Sequence, residues 1–181
     1  MADDLALSFQ HAVDPDDVTR ELRQDLIACW IAVSNGGGAV GFPFPPVSGR
    51  EVEPVADRLI GDLDPRFNRL LFAMADGVLA GWLNIRRDSH PVVMHWGTVN
   101  SVQTHPRFRG RGVGTGLMNR ARQVAREAMG LEQLHLAARG GMGLEDFYSR
   151  LGWQEIGRWP GALRLGPGDD RDEVLMILSP L

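Results

Sequence analysis

The sequence predicts a mixed α/β fold, a sheet containing both strand senses and covered by helices. Asp76-Gly77 separates two apolar runs, 69–75 and 78–85, which is the signature of a tight antiparallel hairpin. A glycine-rich corner, 107–117, joins an apolar strand to an amphipathic helix. Along the chain the order reads strand, two helices, three strands, helix, strand, helix and two strands.

Each element has a local cause. Residues 5–12 alternate weakly, as a first strand would. Asp14-Pro15-Asp16-Asp17 reads as a turn and helix start, and Leu22, Leu26, Ile27, Trp30 and Ile31 recur at helical spacing until Ser34-Asn35-Gly36 stops them. The stretch Gly41 to Pro46 reads as a stiff apolar loop, and 51–63 as a second helix ended by Asp64-Pro65. After the hairpin, 92–104 reads as a strand and Leu117, Ala121, Val124, Ala125 and Ala128 mark a helix. A strand over 131–138 and a short helix over 144–151 follow, with Leu144, Phe147, Tyr148 and Leu151 as its apolar stripe. The runs 153–159 and 173–178 read as a closing strand pair, joined through Gly166-Pro167-Gly168-Asp169-Asp170.

Size and composition bound the function. A chain of 181 residues with 44% hydrophobic content suits one domain, 1–181. No run is long and apolar enough to span a bilayer, and the acidic start Met1-Ala2-Asp3-Asp4 is unlike a secretory signal, so a cytoplasmic protein with no membrane partner is expected. Cys29 is the single cysteine, which excludes an internal disulfide, and no metal site is expected. The net charge of −4 disfavours nucleic-acid binding. All 19 basic residues are arginine, so Schiff-base and P-loop lysine chemistry is excluded.

The corner Arg107-Phe108-Arg109-Gly110-Arg111-Gly112-Val113-Gly114-Thr115-Gly116-Leu117 has the chemistry of an anion seat. Glycines permit positive φ and close approach, the helix start presents unpaired N–H groups, and arginine supplies charge. The Rossmann spacing fails: from Gly110 its third glycine falls on Thr115, and from Gly112 on Leu117. A pyrophosphate held by some other arrangement is the expectation.

Arg109-Gly110-Arg111-Gly112-Val113-Gly114 resembles the (Gln/Arg)-x-x-Gly-x-(Gly/Ala) motif of the GNAT superfamily of N-acetyltransferases. Tyr148-Ser149-Arg150-Leu151-Gly152-Trp153 is similar to that family's Tyr-x-x-x-Gly-(Phe/Trp) segment, and the 34 residues from Gly114 to Tyr148 leave room for one helix and one strand. The resemblance covers residue 5 to the end. It implies a mostly antiparallel central sheet with one splayed parallel pair, 92–104 and 131–138, and helices on both faces. It further implies acetyl-CoA as co-substrate, with main-chain groups of Val102, Gln103 and Thr104 along the pantetheine arm. The N–H groups of Gly110, Arg111, Gly112, Val113, Gly114 and Thr115 would hold the pyrophosphate, with Arg109 or Arg111 adding charge. Tyr148, the only tyrosine, would be the catalytic proton donor to the departing sulfur, and an N–H near Val102 would polarise the acetyl carbonyl. Gly37 to Phe42, Phe147-Tyr148-Ser149 and Arg158-Trp159-Pro160-Gly161 also resemble the tabtoxin-resistance type, whose acceptor is the amine of a small toxin.

The sequence departs from the family at two points. Neither His95-Trp96-Gly97-Thr98-Val99-Asn100 nor Leu136-Ala137-Ala138-Arg139 carries the usual carboxylate base, leaving His95, His135, Glu145 or Asp146 as candidates, or a substrate arriving as free amine. Gly141 stands where a pantetheine-contacting asparagine is common. An acceptor pocket is expected between 36–48 and 161–172, with Phe42, Phe44 and Trp159 as walls and Asp169, Asp170 and Asp172 attracting a cationic amine. Three readings stand: a small-molecule N-acetyltransferase, a protein or peptide N-acetyltransferase, and a silent acetyl-CoA-binding regulatory module. A homodimer through the last strand pair is compatible with each.

Overall fold

The computed structural model describes residues 6–38, 41–42 and 45–181. Seven strands form one sheet: β1 (Leu7–Ala12), β2 (Asn68–Ala75), β3 (Val78–Arg87), β4 (Trp96–Thr104), β5 (Gln133–Arg139), β6 (Gln154–Gly166) and β7 (Asp169–Leu178). Their spatial order is β1-β2-β3-β4-β5-β7-β6, and every neighbouring pair is antiparallel except β4–β5. Four α-helices pack on it: α1 (Arg20–Asn35), α2 (Gly49–Gly61), α3 (Val113–Glu127) and α4 (Leu144–Arg150).

The apolar stripes decide which face each helix covers. Leu26, Ile27, Trp30 and Val33 of α1, with Val52 and Ala56 of α2, bury against Leu70, Phe72 and Trp82. Leu117, Ala121 and Val124 of α3 and Tyr148 of α4 bury on the opposite face against Leu71, Leu83 and Ile85. With helices on both faces, β2 is buried along its whole length.

Local chemistry moved some boundaries from those the sequence suggests. The Asp14 cap closes only a 3-10 turn, Pro15–Asp17; α1 starts later, where the Thr19 hydroxyl accepts from Leu22 N–H at 3.2 Å. Residues 91–95 are turns rather than strand, with Val93 N–H donating to the His90 carbonyl at 3.0 Å. The largest difference is the last hairpin. Its strands run on to Gly166 and from Asp169, so most of 161–172 is ladder. Pro160 and the glycines hide that strand in the sequence. An outermost strand tolerates them, and register shifts at 155/157, 159/163 and 164/166 absorb the irregularity.

Candidate active site

The parallel pair β4–β5 holds for three rungs only: Trp96 with Gln133, Gly97 with Leu134 and Thr98 with His135. Beyond them β5 stays on β7 as far as Arg139, while β4 stays on β3. The strands therefore separate, and main-chain groups of β4 after Thr98 face an open cleft. A bulge lies here: Asn84 pairs with Asn100 but Trp82 with Gln103, and Ser101 takes a φ of 53°. His105 N–H bonds the Ala80 carbonyl at 2.9 Å, so by antiparallel alternation Gln103 bonds Trp82 across β3. Val102 and Thr104 are then the two residues whose main-chain groups turn toward the cleft. The Gln103 side chain is buried, and both its polar atoms lack a partner among the described residues.

The glycine corner sits at the mouth of this cleft. Pro106–Phe108 forms a 3-10 turn, and Gly110 and Gly112 adopt φ of 74° and 81°. A Cβ at either would meet nothing within 4 Å, so positive φ, not crowding, demands glycine there. The first amide bond of α3 runs from Gly116 N–H to the Gly112 carbonyl at 2.9 Å, so the N–H groups of Val113, Gly114 and Thr115 precede the intrahelical ladder. Gly114 and Gly116 answer to packing. A Cβ on Gly114 would lie 3.3 Å from Phe147 Cζ, and one on Gly116 would lie 2.6 Å from Phe9 Cζ. Arg109 points away from the seat, donating to the Gly36 carbonyl at 3.5 Å, while Arg111 is exposed beside it.

Phe147 ties α4 to that first turn, and Tyr148 follows it. The Tyr148 ring is 6% exposed, packed edge-on against Phe147 at 5.0 Å and Trp153 at 6.1 Å. Burial pushes its phenol up to about 12. Its hydroxyl has no hydrogen-bond partner among the described residues.

A cavity of about 300 Å³ opens beside the C-terminus of α1, lined by Ser34, Phe42, Arg139, Met142, Asp169 and Arg171 among others. The turn after α1 joins it to the glycine corner. Arg139 Nη2 donates to the Gly37 carbonyl at 2.6 Å, next to the Gly36 carbonyl that Arg109 holds. The expected walls are met only in part: Phe42 lines the cavity, Trp159 is 57% exposed on β6, and Phe44 lies outside the described residues, as do Ala39 and Val40. Nor are the acids free. Asp169 accepts from Arg171 Nε, Asp170 takes Arg164 in two bonds of 2.7 and 2.8 Å, and Asp172 accepts from Gly161 N–H at 3.0 Å.

Two of the candidate bases, His135 and Glu145, are engaged elsewhere, while His95 and Asp146 are exposed. His135 sits on the last paired rung, stacked on Trp96 at 4.4 Å, and burial followed by the nearby His95 pushes its pKa down. Glu145 accepts from Gly141 N–H at 3.3 Å and lies 3.7 Å from Arg158. Sequence reasoning missed Ser34, Arg139 and Arg171 as cavity residues. The one local signal was Arg139-Gly140-Gly141, a cation and two glycines ending a strand that points at the cleft.

The site residues fit acetyl-CoA: an open strand edge for an amide-rich arm, and free amides at a helix start for a pyrophosphate. No group of His, Cys, Asp and Glu able to hold a metal occurs among the described residues. The family model of the Acetyltransferase (GNAT) family matches residues 4–153. Among solved structures, a proposed phosphinothricin N-acetyltransferase is 20% identical, with a TM-score of 0.78 over 96% of this chain and 98% of its own. The ribosomal-protein-alanine N-acetyltransferase of Brucella melitensis is 17% identical, with a TM-score of 0.73 over 95% and 99%. A proposed acetyltransferase from Salmonella typhimurium, solved with its cofactor acetyl-CoA, is 17% identical, with a TM-score of 0.70 over 96% and 94%. The chain belongs to the GNAT family of acetyltransferases, with acetyl-CoA as its co-substrate.

Proposed function

We propose that this enzyme, one cytoplasmic acetyltransferase domain over 1–181, moves an acetyl group to the primary amine of a small molecule by direct attack in a ternary complex. The observation that carries the reading is the cavity at the end of the cleft. At about 300 Å³ it falls at the lower end of small-ligand pockets and is large enough for a small amine. When bound, acetyl-CoA supplies a thioester carbonyl open to attack by an unprotonated amine.

The chain's own groups then have defined tasks. Main-chain groups of Val102 and Thr104 align the arm, and Val102 N–H is the donor proposed for the carbonyl oxygen. The amides of Gly110 to Thr115 hold the pyrophosphate, with Arg111 adding charge. Tyr148 keeps its proton at Oη and offers it as a hydrogen bond to the departing sulfur. Full transfer from a phenol at about 12 to a thiol near ~8.5 is uphill by about 5 kcal/mol, so the hydrogen bond, not complete protonation, is its contribution. Among the described residues no carboxylate is free at the cavity, so the acceptor is taken as its free amine. A homodimer through the outermost strand β6, where Ile156 and Trp159 stand exposed, belongs to the same proposal; light scattering on the purified protein tests it.

The test is thiol release from acetyl-CoA in the presence of dipeptides, amino acids, aminoglycosides, polyamines and peptides. Turnover with one small amine is the expected result. Turnover only with peptides would move the assignment to a protein N-acetyltransferase, and none with any amine would favour a silent acetyl-CoA-binding module.

A further inference from the structure

We infer that the amine acceptor carries a second, anionic group, a carboxylate, which seats between Arg139 and Arg171. The inference deepens the acetyl-transfer reading and rests on it for the amine. The cavity wall holds two guanidinium groups against one carboxylate, Asp169, which is already bonded to Arg171 Nε. The pocket is therefore net positive. Arg139 spends Nη2 on the Gly37 carbonyl, and its buried Nε has no partner among the described residues. Ser34, 3% exposed on α1, lines the same cavity with a hydroxyl that has no partner among the described residues. Buried donors left without acceptors are costly, and an oxyanion in the cavity is the acceptor that this wall lacks.

Electrostatics points the same way. Burial, and then the charge of Arg171, pull Arg139 below the usual arginine range. An anion between the two would relieve that repulsion. Asp170 and Asp172 are tied to Arg164 and Gly161, so they offer nothing to a polycation. Gly141 fits the same picture. It adopts a φ of 78°, and a Cβ there would lie 3.3 Å from Arg171 Nη1, so glycine leaves room for the guanidinium. The acceptor class is thus an amino acid or a close relative, not a polyamine or aminoglycoside.

The experiment titrates a panel of free L-amino acids and their carboxamides, by calorimetry, onto protein saturated with CoA. Thiol release is followed in parallel. Wild type should bind at least one acid about ten- to hundred-fold more tightly than its amide, the worth of a charge-assisted hydrogen bond. Arg171→Gln should bring the ratio to within about three-fold. Arg171 is the chosen site because Arg139 also holds the turn at Gly37, and a urea curve checks that the variant folds. Acids and amides binding alike in wild type, no acid binding at all, or a preference that survives Arg171→Gln would each overturn the inference. Arg171-dependent acid binding without thiol release would leave it standing and sink acetyl transfer instead.

Discussion

Replacing Tyr148 by Phe tests the chemistry most directly, because it removes one hydroxyl and little else. The ring sits against Phe147 and Trp153, and the hydroxyl has no partner among the described residues, so packing is retained and no donor is stranded. Unfolding free energy should change by no more than about 0.5 kcal/mol. In the proposed reaction, the same hydroxyl is the donor to the negative charge that develops on sulfur. A hydrogen bond to a charged group contributes about 1.5–3 kcal/mol, so kcat should fall about ten- to hundred-fold. The KM for acetyl-CoA should stay within about two-fold, since the bond strengthens only as the sulfur departs. Burial pushes the phenol up to about 12, so the ratio of wild-type to variant kcat should be flat from pH ~7 to ~10. The assay is thiol release under saturating amine, paired with urea denaturation. Equal turnover in the two proteins would refute the role, and a ratio that changes tenfold within that window would refute the assignment of a buried, protonated phenol.

Two glycine substitutions separate seat from scaffold. Gly112→Ala places a Cβ at φ 81° in open space, costing about 1–2 kcal/mol of strain and raising the KM for acetyl-CoA, which steady-state kinetics reads. Gly81→Ala drives a Cβ to 2.4 Å from the Gln103 carbonyl and should cost about 2 kcal/mol or more in a urea curve; an unaltered midpoint would refute the close approach of β3 and β4. Burial pushes the Cys29 thiol up to about 12 from 9.0. Above pH ~9 the unfolded chain sheds this proton while the fold keeps it, so stability falls as pH climbs toward about 12, by about 2 kcal/mol at pH ~10.5. Cys29→Ala should show a flatter loss of urea midpoint between pH ~8 and ~10.5, and parallel curves for the two proteins would count against the burial account.

What could be read along the chain was whatever depends on near neighbours. The Asp76-Gly77 hairpin, the stripes of α1, α3 and α4, and the glycine corner before α3 each follow from backbone preference or period within a few residues. The role proposed for Tyr148 came from the resemblance of Tyr148-Ser149-Arg150-Leu151-Gly152-Trp153 to the family's segment, not from local chemistry. The length of the last hairpin was not, because Pro160, Gly157 and Gly161 carry local signals against strand that an outermost position overrides. The cavity proposed for the acceptor was hidden for a different reason. Ser34 comes from α1, Arg139 from the end of β5, and Asp169 and Arg171 from β7, so no window of sequence contains them together. Local chemistry alone determined a glycine-rich helix start suited to an anion, and a lone phenol. The splayed pair was implied by the resemblance; only the folded sheet decided that it parts after three rungs, and that among the described residues the space beyond is walled by two arginines whose charges one carboxylate does not balance. Turn and helix preferences act between adjacent residues, whereas the charge of a pocket is a sum over side chains that only tertiary packing brings together.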